Sequence, residues 1–156
     1  MKNLFLSLLF AFAVQFCFAQ SIDSLFDEFK STEGAQYVEM PAYVIALGKA
    51  VASQQSQDIN GIKMMDGLKS MRLISFRDCP ASVREQFAQR AKKISGFSEL
   101  KFFNKDDSQT RLLGKGDGEN FSDVVVIVTG DKDTNIIHMK GEFSKDELEK
   151  SLNKEE

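Results

Sequence analysis

A chain of 156 residues with 42% hydrophobic and 28% charged side chains has the composition of one ordered domain, so neither disorder nor several domains is expected. Its formal charge of −3, from 20 basic residues scattered among 23 acidic ones, leaves no basic stripe and argues against nucleic acid as a partner. One histidine and two cysteines are too few for a zinc site built from those ligands.

The first nineteen residues read as a secretory signal. Lys2 supplies the positive start, Leu4–Val14 the apolar run, extended by Phe16, Cys17 and Phe18, and small Cys17 and Ala19 precede the cut. Cleavage is expected after Ala19. The chain then divides into a signal peptide, 1–19, and a single α+β domain, 20–156. The apolar run is shorter than the roughly 20 residues that span a bilayer, which argues against an uncleaved anchor. Bulky Phe16 argues against lipid attachment at Cys17. No later segment is long enough to cross a membrane, since Ala42–Ala52 is short and interrupted by Lys49. Removing the signal takes Cys17 away and leaves Cys79 alone, so no disulfide within the chain is expected.

Ile22, Leu25, Phe26 and Phe29 form one apolar stripe at helical spacing, and Gly34 ends that segment. Gln36–Met40 reads as a strand. Pro41 suits the first position of a helix, and the following Ala42–Ala52 is apolar nearly all round, which predicts a deeply buried helix. Ser53–Asn60 is a polar loop closed by an Asn60-Gly61 turn, and Ile62–Leu68 offers one or two helical turns. Met71–Phe76 is a strand. Pro80 opens a further helix with Val83, Phe87, Ala91 and Ile94 on one face, stopped by Gly96.

The second half changes period. Leu100–Phe103, Thr110–Leu113, Val124–Thr129 and Asn135–Glu142 are strands, separated by turns at Asn104–Ser108, Gly114–Gly118 and Gly130–Asp133. The β-branched run Val124–Val128 belongs at the centre of a sheet. In the last strand Ile137, Met139, Gly141 and Phe143 should face the core, with His138, Lys140 and Glu142 on a more polar side. Ser144 and Glu147 make a capping box, flanked by Phe143 and Leu148 at staple positions, so a helix follows. Four successive strands on short turns predict a mostly antiparallel sheet ending in a four-strand meander. Helices packed on one face would make a two-layer α+β sandwich.

Three constellations could carry chemistry. His138 is the only histidine, so a Ser-His-Asp hydrolase would have to use it, yet no G-x-S-x-G elbow is present. Flanked by Ile137 and Met139, it reads as a structural or surface residue. Cys79 lies between Asp78 and Pro80 at a helix start. As the cap of that helix its thiol would feel the positive end of the dipole and ionise more readily, with Asp78 opposing, and a Cys79–His138 nucleophilic pair is then conceivable. The plainer reading is a small, semi-buried capping residue. Asp131, Asp133, Asn135 and Glu142 occupy positions 1, 3, 5 and 12 of a calcium-loop frame. Ile136 stands where the loop needs Gly, and both flanks read as strands, so a hairpin tip is the simpler account. Gly114, Gly116 and Gly118 lack the Gly-Lys-Ser/Thr ending of a phosphate loop. Asp106 and Asp107 sit in a turn, where solvated charge is the default.

The arrangement resembles a family of small secreted proteins of Gram-negative bacteria catalogued as domain of unknown function 4252 (DUF4252). The resembling parts are the signal, Leu25-Phe26-Asp27-Glu28-Phe29 leading to Gly34 and its strand, the strand from Leu68 to Phe76, and the strands Val124–Thr129 and Ile136–Gly141 before the last helix. The resemblance implies an exported globular domain and transfers no catalytic residue.

The function expected from all this is an exported, non-catalytic envelope domain, periplasmic or secreted. It would bind a partner, an envelope protein for instance, through an exposed sheet face or edge, with no cofactor. The alternatives are a small thiol-dependent or hydrolytic enzyme using Cys79, His138 or a carboxylate pair, and a structural module supported by calcium at Asp131, Asp133, Asn135 and Glu142.

Overall fold

The computed structural model describes residues 19–52, 66–105 and 107–152. The residues expected to form the signal up to Phe18, those expected to form the polar loop and helical turns up to residue 65, Asp106 and residues 153–156 lie outside the described residues. In chain order the elements are α1 (Ile22–Phe29), β1 (Gln36–Met40), α2 (Ala42–Ala52), β2 (Leu68–Ser75), α3 (Ala81–Ala91), β3 (Ser98–Lys105), β4 (Ser108–Gly116), β5 (Asn120–Gly130), β6 (Asn135–Ser144) and α4 (Lys145–Leu152).

The strands form one six-stranded sheet in the order β1-β2-β6-β5-β4-β3, antiparallel at every pairing. The α+β class and the four-strand meander β3–β6 are as the sequence indicates. The N-terminal pair β1–β2 joins that meander by laying β2 along β6, with Arg72 opposite His138 and Leu73 opposite Ile137.

Alternation along β5 divides the core. Val125 and Ile127 point into one apolar cluster, and Val124 into another on the opposite face of the sheet. The first cluster is the larger. All four stripe residues of α1 are buried in it, as are Phe87 and Ala91 of α3. Phe29, Phe76 and Phe87 meet at centroid distances of 5.6, 5.5 and 4.4 Å, two of the three pairs edge to face. Ser21 caps α1 by accepting the Ser24 N–H at 3.1 Å. Arg111 on β4 donates to the Ala91 carbonyl at the end of α3, tying that helix to the sheet. Helices α1 and α3 thus form a layer on this face of the sheet. The second face carries its own cover, with Ile45 of α2 and Leu148 of α4 packed among Leu68, Leu112, Phe121, Val124, Met139 and Phe143.

The capping box that starts α4 is reciprocal. The Ser144 N–H donates to Glu147 Oε2 at 3.1 Å and the Glu147 N–H to Ser144 Oγ at 3.3 Å, while Phe143 and Leu148 share one cluster as a staple should.

Four expectations need correction. Helix α2 has the predicted limits but is not deeply buried: Tyr43 is 70% and Leu47 66% exposed, and Ile45 is the one large side chain of its described residues 42–50 that lies in the core. Hydropathy all round a helix cannot say which side has a partner, and the sheet here meets one side. Helix α3 starts at Ala81 with Pro80 as its cap, so Cys79 lies outside the helix. The supposedly polar side of β6 is polar only toward its end, because α1 and Phe97 cover its middle and bury Ile136 and His138, leaving Lys140 and Glu142 exposed. Gly114 and Gly116 are strand residues of β4, and the turn proper is Asp117–Glu119, where Gly118 has φ +99°.

Candidate functional site

His138 is 1% exposed and sits in a chain of polar and charged groups that crosses four elements. Arg72 Nε donates to His138 Nδ1 at 3.1 Å, and His138 Nε2 lies 3.0 Å from Asp123 Oδ1. An arginine Nε can only donate, so Nδ1 carries the lone pair and the single ring proton is on Nε2, donated to Asp123. Ser122 Oγ donates to the other Asp123 oxygen at 2.8 Å. Arg72 pairs with Asp23 on α1 and stacks its guanidinium 4.2 Å over the Phe26 ring of the same helix. Asp23–Arg72–His138–Asp123 is therefore a clasp that fastens α1 to β2, β6 and β5.

Its electrostatics agree with a neutral ring. Burial holds the His138 pKa below its ordinary value; the hydrogen bond to Asp123 opposes this, and the Arg72 and Lys140 charges reinforce it. The Arg72 hydrogen bond holds the Asp23 carboxyl low. Burial works to raise Asp123, but hydrogen bonds from Ser122 and His138, with the charge of Lys140, outweigh it and leave Asp123 low as well. Both ring nitrogens are thus committed inside the protein. A general base needs one of them within hydrogen-bond reach of a substrate.

Cys79 is 4% exposed, with its thiol directed at the Glu33 carbonyl 3.6 Å away. Burial raises its pKa; the Arg84 charge pulls it down and the Asp78 charge adds to the rise. Desolvation therefore wins over the activating effect expected of a helix start, from which the residue is displaced. Cys79 and His138 are not brought together. Cys79 follows Phe76, whose N–H bonds the Thr134 carbonyl, and that bond lies about 13 Å along the strands from the Arg72–His138 pair, with the Ile74–Ile136 pair between.

The four residues of the calcium frame are also separated. Asp131 and Asp133 are at the β5–β6 hairpin tip, where Asp133 pairs with Arg77 at 3.4 Å. Asn135 begins β6, and Glu142, about 23 Å along that strand, pairs with Lys69. No group of three or more potential metal-ligating His, Cys, Asp or Glu residues gathers among the described residues.

A cavity of about 430 Å³ beside α4 is lined by Leu100, Leu112, Phe121 and Leu148, with the charges of Lys101 and Lys145 matched by those of Glu99 and Glu149. Among the described residues every buried side-chain nitrogen and oxygen has a hydrogen-bond partner, so no buried polar group awaits a ligand.

What remains open is on the surface. β1 ends the sheet, and among the described residues nothing hydrogen-bonds its outer edge. Val38 on this strand is 46% exposed. It is opposite Leu73, which is opposite Ile137, which is opposite Val126, so Val38 ends an apolar row on the α2 face of the sheet. Helix α2 follows β1 directly and adds exposed Tyr43, Val44 and Leu47. Sequence reading missed this surface because it assigned α2 to the core. It also missed Arg72 and Asp123 as partners of His138, and Asp23 as the partner of Arg72. The contacts Arg72–His138 and Arg72–Asp23 span separations of 66 and 49 residues, and no local pattern announces them.

The chain belongs to the family described as Domain of unknown function (DUF4252), whose model matches residues 29–151. No curated protein and no solved structure matches it. No described helix is long and apolar enough to cross a membrane.

Proposed function

We propose that this is an exported, non-catalytic interaction module of the cell envelope, which binds a protein chain by accepting its strand at the free edge of β1. The observation that carries the proposal is the edge itself: among the described residues β1 is unpaired on its outer side, with Val38 46% exposed and Tyr43 and Leu47 of the next helix 70% and 66% exposed. An apolar edge of this kind is a template for strand addition, where main-chain hydrogen bonds give affinity and the flanking side chains give selectivity. The enclosed state of the two reactive side chains supports the non-catalytic part. His138 spends both nitrogens on Arg72 and Asp123, and the Cys79 thiol is buried and held protonated. Export is supported by the charged, apolar and small-residue pattern of residues 1–19.

Photo-crosslinking in the cells that make the protein tests the surface. A benzophenone side chain replacing Val38 or Leu47 should give covalent protein adducts, whereas one replacing Glu119, in the β4–β5 turn, should give none. Absence of adducts at both test positions, or equal adducts at all three, removes the proposed surface. N-terminal sequencing of the same protein tests export: Gln20 is expected first, and an intact Met1 recovered from the cytosol would refute it.

A further inference from the structure

Resting on the reading of β1 as a binding edge, we infer that its partner is β1 of a second copy, antiparallel about a two-fold axis at Val38, so that two six-stranded sheets run on as one.

The two ends of the sheet differ. β3 carries Glu99 and Lys101, and its register is broken between them. Charges and register breaks of this kind keep a sheet edge from pairing. β1 reads Gln-Tyr-Val-Glu-Met, with no Lys, Pro or Gly, and its register with β2 is unbroken from Gln36 to Met40. This edge lacks the guards that the opposite edge has.

Self-pairing also has a preferred register. With the axis at Val38, Val38 faces the partner's Val38, Tyr37 faces the partner's Glu39, and Gln36 faces the partner's Met40. The only charge on the strand then stands opposite a tyrosine. Tyr37 already donates its hydroxyl proton to Glu39 Oε2 within the strand at 2.8 Å, so the two side chains suit each other. Moving the axis to Glu39 would place two carboxylates opposite each other, which is destabilising. Moving it to Tyr37 would face exposed Val38 with glutamine. The chosen register also makes the apolar row Val126–Ile137–Leu73–Val38 continuous with the same row of the second copy.

The test uses the purified full-length gene product. Sedimentation equilibrium should show a reversible dimer. Val38→Lys should raise its dissociation constant by about tenfold or more without changing the monomer's melting temperature, because the side chain is already half exposed. In a Cys17→Ala, Cys79→Ala background, Val38→Cys should give a disulfide-linked dimer on diamide oxidation, and Gln36→Cys, displaced from the axis, should not. A monomer at every concentration overturns the second-copy inference. If Val38 and Leu47 photo-adducts then carry the mass of a different protein, the edge-binding reading stands while this inference falls. A dimer that persists in Val38→Lys and does not link through Val38→Cys also overturns it.

Discussion

At the scale of single residues, His138 is the group whose state the fold dictates most strongly. It is the chain's only histidine, and protonating it would break the hydrogen bond from Arg72 and place a cation beside another. Its folded pKa lies below the ordinary 6.5, so between those two values the unfolded chain holds a proton that the folded chain does not. Stability is then complete above about pH 6.5 and falls as the pH drops toward the folded value. Asp23 and Asp123 act lower on the scale. Their folded pKa values lie below 3.8, and their contributions are lost only as the pH falls from about there through the folded values. Thermal melts from pH 7.5 to 3 should therefore show two acid-induced losses. His138→Gln, which can accept from Arg72 and donate to Asp123, should abolish the upper one and retain the lower. An upper loss that survives in the Gln variant would mean that another group titrates there. His138→Ala leaves the Arg72 Nε and Asp123 without this partner in a buried place, and should cost about 2–4 kcal/mol at pH 7.5 by denaturant titration. Sequence alone supported only the statement that a histidine between Ile137 and Met139 is structural or superficial. The structural alternative describes it, but the clasp was illegible, since its partners come from three other elements.

At the scale of elements, periodic patterns were readable and the direction of burial was not. The stripe Ile22, Leu25, Phe26 and Phe29 gave α1 and its buried face together, because a single apolar side leaves no choice of orientation. The Ser144–Glu147 box placed the start of α4 for a similar reason: the two side chains satisfy each other's backbone donors without help from elsewhere. Ser144→Ala should cost about 1 kcal/mol, read as a lower urea midpoint at unchanged slope. Helix α2 is the opposite case. Its sequence is apolar on every side, and the side that meets the sheet is fixed by Pro41 at its entry and by Lys49, whose Nζ donates to the Asp66 and Leu68 carbonyls at 2.8 and 2.9 Å. Ile45→Ala should then cost about 2–4 kcal/mol, while Leu47→Ala stays within about 0.5 kcal/mol of the parent in the monomer. Comparable losses for the two would mean that α2 is enclosed after all. Close approach of backbones was equally hidden. A Cβ on Gly141 would lie 2.1 Å from the Gly67 carbonyl oxygen, and one on Gly67 1.9 Å from that of Glu142, so only paired glycines let β2 start against β6.

At the scale of the whole molecule, the sheet joins two parts of very different contact range. The strands β3 to β6 pair in sequence order through short turns, whereas β2 reaches β6 across a separation of 66 residues, as in the Arg72–His138 contact. Closing a long loop must be offset by contacts made afterwards, so the local meander should form ahead of the β1–β2 addition in the folding transition state. Ile127 on β5 and Ile74 on β2 allow a matched comparison. Both are essentially fully buried, both belong to the cluster under α1, and Ile→Val makes the same small change in each, costing about 1 kcal/mol. Ile127→Val should mainly slow folding, and Ile74→Val should mainly speed unfolding. The chevrons are best recorded in the Val38→Lys background, so that association does not add a concentration-dependent phase. If Ile74→Val slows folding as much as Ile127→Val does, the β2–β6 pairing is already present in the transition state, and the fold assembles around β6 from both sides at once.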